Sequence, residues 1–112
     1  MHLGNYEEAI SDLEDFSTDD IFIGAVSLDA LGDANMELNK VDKALSYYKK
    51  AAEYNKNELM TPYFYMKAAF ASELSNNYTD ALKYYTIIKE EYPKSQQAGD
   101  VDKYIARAEI KK

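Results

Sequence analysis

The sequence predicts an all-α chain built as a solenoid of antiparallel helix pairs. Three observations carry that prediction: a phrase that recurs three times, an apolar stripe that follows each copy, and a composition of ordinary globular type. The phrase is Gly4-Asn5-Tyr6-Glu7-Glu8-Ala9-Ile10, then Asn39-Lys40-Val41-Asp42-Lys43-Ala44-Leu45, then Asn76-Asn77-Tyr78-Thr79-Asp80-Ala81-Leu82. Ala9 to Ala44 is 35 residues and Ala44 to Ala81 is 37, a period in the range that marks stacked structural repeats. Each copy opens on Gly or Asn, the residues that tolerate the left-handed conformation at a helix end, and then enters a new helix through an apolar anchor.

The stripes behind these junctions are Ala9, Leu13 and Phe16; Ala44, Tyr48 and Ala51; and Ala81, Tyr85 and Ile88. Steps of four and three residues keep each set on one helical face. The segments ahead of the second and third junctions also correspond, with Leu28, Leu31, Gly32 and Leu38 matched by Tyr65, Ala68, Ala69 and Ser75, so they are expected to be the first helices of their pairs. Thr61-Pro62 is expected to open the first helix of the third repeat, Thr as a cap and Pro in the first turn, where its missing N–H is harmless. Small residues at Gly32, Ala44, Ala68, Ala69 and Ala81 allow close backbone approach, and large Tyr and Leu residues fill the space between layers.

With period, small crossing residues and aromatic second helices together, the chain resembles the tetratricopeptide repeat over nearly its whole length. Ala30-Leu31-Gly32-Asp33-Ala34, the run from Asp42 to Ala51, and Glu91-Tyr92-Pro93 all look like that consensus. The resemblance implies a right-handed α-solenoid of about six helices. Its expected parts are a partial repeat over 1–18, mostly a second helix, repeats over 19–57 and 58–95, and a capping helix over 96–112 carrying Val101, Tyr104, Ile105 and Ala108 after a start at Ser95. Asn35 and Ser72 depart from the pattern where the family commonly has an aromatic residue, and Lys56 replaces a usual proline. Met1-His2-Leu3 is only the tail of a first helix, so the helix from about Tyr6 to Phe16 is expected to need a cover, from further chain upstream or from another chain.

Composition sets bounds on function. Hydrophobic residues make up 46% and charged residues 29%, there is no cysteine, and the net charge is −7. The mean hydropathy of −0.55 excludes a bundle of membrane-spanning helices. The acidic balance argues against nucleic acid, whose phosphates demand clustered Lys and Arg. Before Lys43 there are eleven acids against Lys40 alone; from Lys43 onward there are nine acids against twelve bases. His2 is the single histidine, and the four glycines form no phosphate-cradling loop, so the expectation is a chain that is not an enzyme and has no catalytic, cofactor or metal site. Asp19-Asp20 reads as a helix-start pair, since the spacing of a calcium loop is missing.

The positions that the family turns toward the inside of its curved stack are Val26, Asp29, Asp33 and Met36, then Tyr63, Met66, Phe70 and Glu73. Each set steps by three, four and three, so its members share a face distinct from the packing stripe. Tyr63, Met66 and Phe70 on an outward face require a cover. Two covers satisfy it: a peptide with apolar anchors and a basic residue facing Asp29 and Asp33, or the protein itself through its closing helix, an upstream helix or a second copy. The expected function is therefore a non-catalytic protein-interaction scaffold, with self-association through the uncovered front helix as the alternative and a homodimer among the expected partners. The usage of Tyr, Asn and Lys, with the ending Glu90-Glu91-Tyr92-Pro93-Lys94-Ser95, resembles bacterial repeat proteins and leaves cytoplasm and periplasm both open.

Overall fold

The computed structural model describes residues 7, 8 and 10 and residues 21–112. Among the described residues the elements are α1 (Ile21–Glu37), α2 (Val41–Tyr54), α3 (Thr61–Leu74), α4 (Tyr78–Glu91), a short 3₁₀ turn η1 (Gln97–Gly99) and α5 (Val101–Lys111). Glu7, Glu8 and Ile10 are helical. The other residues expected in the front helix lie outside the described residues, as do His2 and Asp19-Asp20.

Each helix packs on the next in chain order, as a solenoid requires. The repeat is visible in the backbone bonds of its turns. After α1, the amide of Leu38 donates to Ala34 O, that of Asn39 to Met36 O and that of Lys40 to Asn35 O. After α3, Ser75 donates to Ala71 O, Asn76 to Glu73 O and Asn77 to Ser72 O, the same three bonds moved along by 37 residues. Asn39 and Asn76 take φ of 60° and 59°, the left-handed conformation that lets the next amide reach back and satisfy a terminal carbonyl. Asn suits this place because its short polar side chain tolerates positive φ.

The layers close on small residues. Ala44, Ala52, Ala68, Ala69, Ala71 and Ala81 are fully buried at 0% exposure, so the helices cross backbone to backbone. Gly32 is the extreme case: a Cβ there would stand 2.4 Å from Cε1 of Tyr48, whose ring packs directly against the glycine. Tyr85, Phe64, Ile88 and Val101 fill the spaces between the crossings. Helix α3 is buried on most of its circumference because α2, α4 and the η1–α5 segment all lie against it. At the other end, Ile10 is buried against Leu31 and Ala34, with Leu28, Leu38 and Tyr47 around them.

Two local expectations are revised. Thr61 does not cap α3; its hydroxyl turns back to Ala52 O at 3.3 Å and accepts from the Asn57 amide at 2.8 Å. Asn57 orders the turn ahead of the helix: its side-chain oxygen accepts from the amides of Leu59 at 3.1 Å and Met60 at 2.7 Å, and its carbonyl accepts from the Thr61 amide at 3.3 Å. Ser95 likewise caps the 3₁₀ turn by accepting from Ala98 at 3.1 Å, and α5 begins later, at Val101. Asn35 and Ser72, both at 0% exposure, stand where the family commonly has an aromatic residue and donate to carbonyls four residues back, Leu31 at 2.8 Å and Ala68 at 2.9 Å.

Asn35 Oδ1 is buried with no hydrogen-bond partner among the described residues. An unmatched buried carbonyl carries a desolvation penalty, so Asn35→Leu, similar in volume and without that oxygen, should raise the unfolding free energy by about 1 kcal/mol. A urea melt reads this as a higher midpoint at unchanged slope.

Candidate functional site

The exposed face of the stack is formed by the first helices of successive pairs, α1 and α3, and then by η1 and α5. Its first part is a charged node. The Lys67 ammonium lies 2.7 Å from Asp29 Oδ1 and 2.7 Å from Asp33 Oδ1, tying α3 to α1. The Tyr48 hydroxyl donates to Asp33 at 2.6 Å. The Lys67 ammonium also sits 4.9 Å above the Tyr48 ring and 5.3 Å above the Tyr63 ring.

The sequence reading set Asp29 and Asp33 against a basic ligand residue; in the structure Lys67 already lies between them, and the three groups together hold one formal negative charge. Lys67 stands four residues after Tyr63, one turn along the same face. That spacing was the available signal, and the three-four-three pattern stepped over it. Burial pushes the Asp29 carboxyl up, and this outweighs the Lys67 hydrogen bond, while repulsion from Asp33 adds to it. Burial lowers Lys67, but its bonds to both aspartates more than offset that and hold it above the ordinary lysine range. The two directions are compatible: the lysine sees two carboxylates, whereas each aspartate has a share of one ammonium and a like charge beside it.

The second part is aromatic. Phe70 meets Tyr85 edge-on at 6.3 Å and Tyr104 at 5.2 Å, and Tyr85 and Tyr104 stack at 5.7 Å. Glu73 accepts from the Tyr85 hydroxyl and from Arg107, whose Nε is at 3.1 Å and Nη2 at 2.5 Å. Burial works to raise Glu73, but the bonds from Arg107 and Tyr85 and the nearby charges of Arg107 and Lys111 prevail and hold it below its usual value. Arg107 stands 4.8 Å over the Tyr104 ring. Sequence reasoning placed Tyr104 on the closing helix and did not single out Arg107; the equivalence of Tyr104 with Lys67 at the 37-residue period was the signal that places α5 on this face.

Three clefts run along α3. The first, about 580 Å³, lies between Asp29 and Tyr63 and the loop residues Leu59, Met60 and Lys94. The second, about 480 Å³, is walled by Phe70, Leu74, Tyr78 and Tyr104 with Arg107 and Lys111 at its edge. Between them lies a cleft of about 270 Å³ that shares Gln96 and Gln97 with the first and Phe70 and Tyr104 with the second, so the three form one channel.

The residues expected on this face therefore separate. Val26, Tyr63 and Phe70 are exposed at 41%, 41% and 38%. Tyr63 and Phe70 line the channel, as do Asp29 and Glu73, both engaged with cations. Met66, 9% exposed, lines the middle cleft only, and Met36 packs partly buried against the core. Phe70 and Met66 are covered in part by the closing helix through Tyr104, one of the two covers the sequence left open.

The repeated turn bonds, the order of packing and the shared face of α1, α3 and α5 are those of a helical repeat, and residues 63–95 match the family model described as tetratricopeptide repeat. Residues 63–95 thus carry a tetratricopeptide repeat. The matched stretch covers nearly all of α3, the whole of α4 and the turn into Ser95. Comparison with curated proteins and with solved structures gave no match. Tetratricopeptide repeats are generally protein–protein interaction modules, which directs attention to protein partners for this chain. Among the described residues no helix is long and apolar enough to cross a membrane, and no group of three or more His, Cys, Asp or Glu side chains could hold a metal ion.

Proposed function

We propose that this helical-repeat protein is a non-catalytic scaffold that holds a peptide or protein segment in the channel along α3. The observation that supports this reading most directly is the channel itself, with Tyr63 at one end and Phe70 at the other, both ring systems still partly open to solvent. Large apolar side chains left open on a surface built from packed helices are characteristic of contact sites. The surrounding side chains are fixed by ion pairs and ring contacts, so little ordering is required when a segment docks. Fixed aromatic walls of this kind act as anchors for a docked chain.

Ligands selected from a random-peptide display library against the protein provide the test. Phe70→Glu should weaken their binding by at least about tenfold, since a charge replaces an apolar anchor, while the far-ultraviolet circular dichroism stays helical. Unchanged affinity in that variant would remove Phe70, and with it the channel, from the contact surface.

A further inference from the structure

We infer that the end of the channel at Tyr104, Arg107 and Lys111 takes a segment in which a carboxylate side chain adjoins an apolar one. The inference rests on the channel reading above and adds the chemistry of the occupant. The cleft there is about 480 Å³, with Phe70, Leu74, Tyr78 and Tyr104 supplying apolar wall. Leu74 is 65% exposed, so an apolar residue placed against it would bury surface that water now covers.

The charge at this end is unevenly committed. Two cations, Arg107 and Lys111, and one carboxylate, Glu73, line the cleft. The carboxylate is saturated by the Tyr85 hydroxyl and by two donors of Arg107. A guanidinium has five N–H donors in a fixed fork, so Arg107 keeps others for a second acceptor, and its side chain is 45% exposed. If a ligand carboxylate draws Arg107 away, Glu73 still has Tyr85. The opposite end of the channel has the reverse balance, since two carboxylates, Asp29 and Glu58, and one cation, Lys94, line the cleft there. A carboxylate is thus favoured at the α5 end and disfavoured at the α1 end, which fixes the direction of the bound segment. Helix α3 has 14 residues and a length of about 21 Å, room for about six residues of extended chain.

The probes are two fluorescein-labelled, end-capped hexapeptides, one alternating Glu and Leu around a central Phe and one with Lys in place of every Glu. Anisotropy should show the Glu peptide binding at least about tenfold more tightly at low salt, with the difference shrinking as salt is added. Amide shifts in a ¹⁵N spectrum should centre on Leu74, Tyr78 and Arg107. Lys111→Glu, and Arg107→Glu with its helicity checked, should abolish or reverse the preference. Equal binding of the two peptides, a preference unmoved by both variants, or shifts confined to the Tyr63 end would overturn the inference and leave the channel reading standing. Binding of neither peptide at millimolar concentration, where display-selected ligands still bind and still depend on Phe70, would also overturn the inference alone.

Discussion

Tyr85→Ala should lower the unfolding free energy by about 3–5 kcal/mol, the range for removing a large buried aromatic side chain. Tyr85 is at 0% exposure in the seam between α3, α4 and α5. Its ring stacks on Tyr104 and meets Phe70 edge-on, so truncation opens a void that touches three helices at once. Its hydroxyl is also committed. Burial and the Glu73 carboxylate both push the tyrosine's ionisation upward, so it remains a donor at all ordinary pH values. Tyr85→Phe isolates that bond and should cost only about 1–2 kcal/mol, since Glu73 retains Arg107. Urea melts of both variants check the split. A loss of under about 1 kcal/mol for the alanine variant would mean that α5 does not pack on α4 as described.

Lys67→Met should lower stability by about 2 kcal/mol near neutral pH. Removing one partner of a fully buried ion pair costs about 3–5 kcal/mol, and the groups here retain some contact with water. The side chains of Lys67 and Asp29 are 22% and 16% exposed, and that of Asp33 is 54% exposed. Methionine keeps the aliphatic stem that covers Tyr48 and Tyr63 but leaves two carboxylates four residues apart on α1 with no cation between them.

The deficit should depend on pH in a definite direction. Asp29 has a raised folded value, so it binds its proton more tightly when folded than the ordinary 3.8 of the unfolded chain. Its contribution to stability therefore grows as pH falls through that interval and is lost as pH rises through the folded value. Without Lys67 the Asp29 shift becomes larger, so the gap between variant and parent should be widest from about pH 6 to pH 9 and narrow below about pH 4, as the Asp29 carboxyl becomes neutral in both proteins. Lysine's own raised value keeps the parent's advantage in place until pH exceeds the ordinary 10.5. Glu73 acts with the opposite sign: its lowered folded value gives stability above the ordinary 4.5 that is lost as pH falls, and it does so equally in both proteins, so it cancels from the difference. Thermal melts at stepped pH read this directly, and a deficit constant down to pH 3 would show that the node contributes through packing alone.

What the sequence determined by itself is what depends on short-range periodicity. The three phrases, the four-and-three stripes and the Asn at each turn lead to a helical repeat because each is a local requirement of a helix or its end. The described helices and the repeated Asn39 and Asn76 turns carry the second and third copies, while most of the first lies outside the described residues. The role of Tyr48 and Tyr85 as buried fillers, at 3% and 0% exposure, was legible for the same reason.

Tertiary structure alone decided which charges meet. Lys67 lies 38 residues from Asp29, and Arg107 lies 34 from Glu73. Long flexible side chains on different helices carry no periodic mark of their partner; only the crossing of α1 with α3 and of α3 with α5 brings their ends within hydrogen-bond reach. The same crossing turned Met66 inward and left Tyr63 open. A helix pattern specifies the face on which a side chain stands, but whether that face meets water, a neighbouring helix or a ligand is set by where the next helix comes to rest.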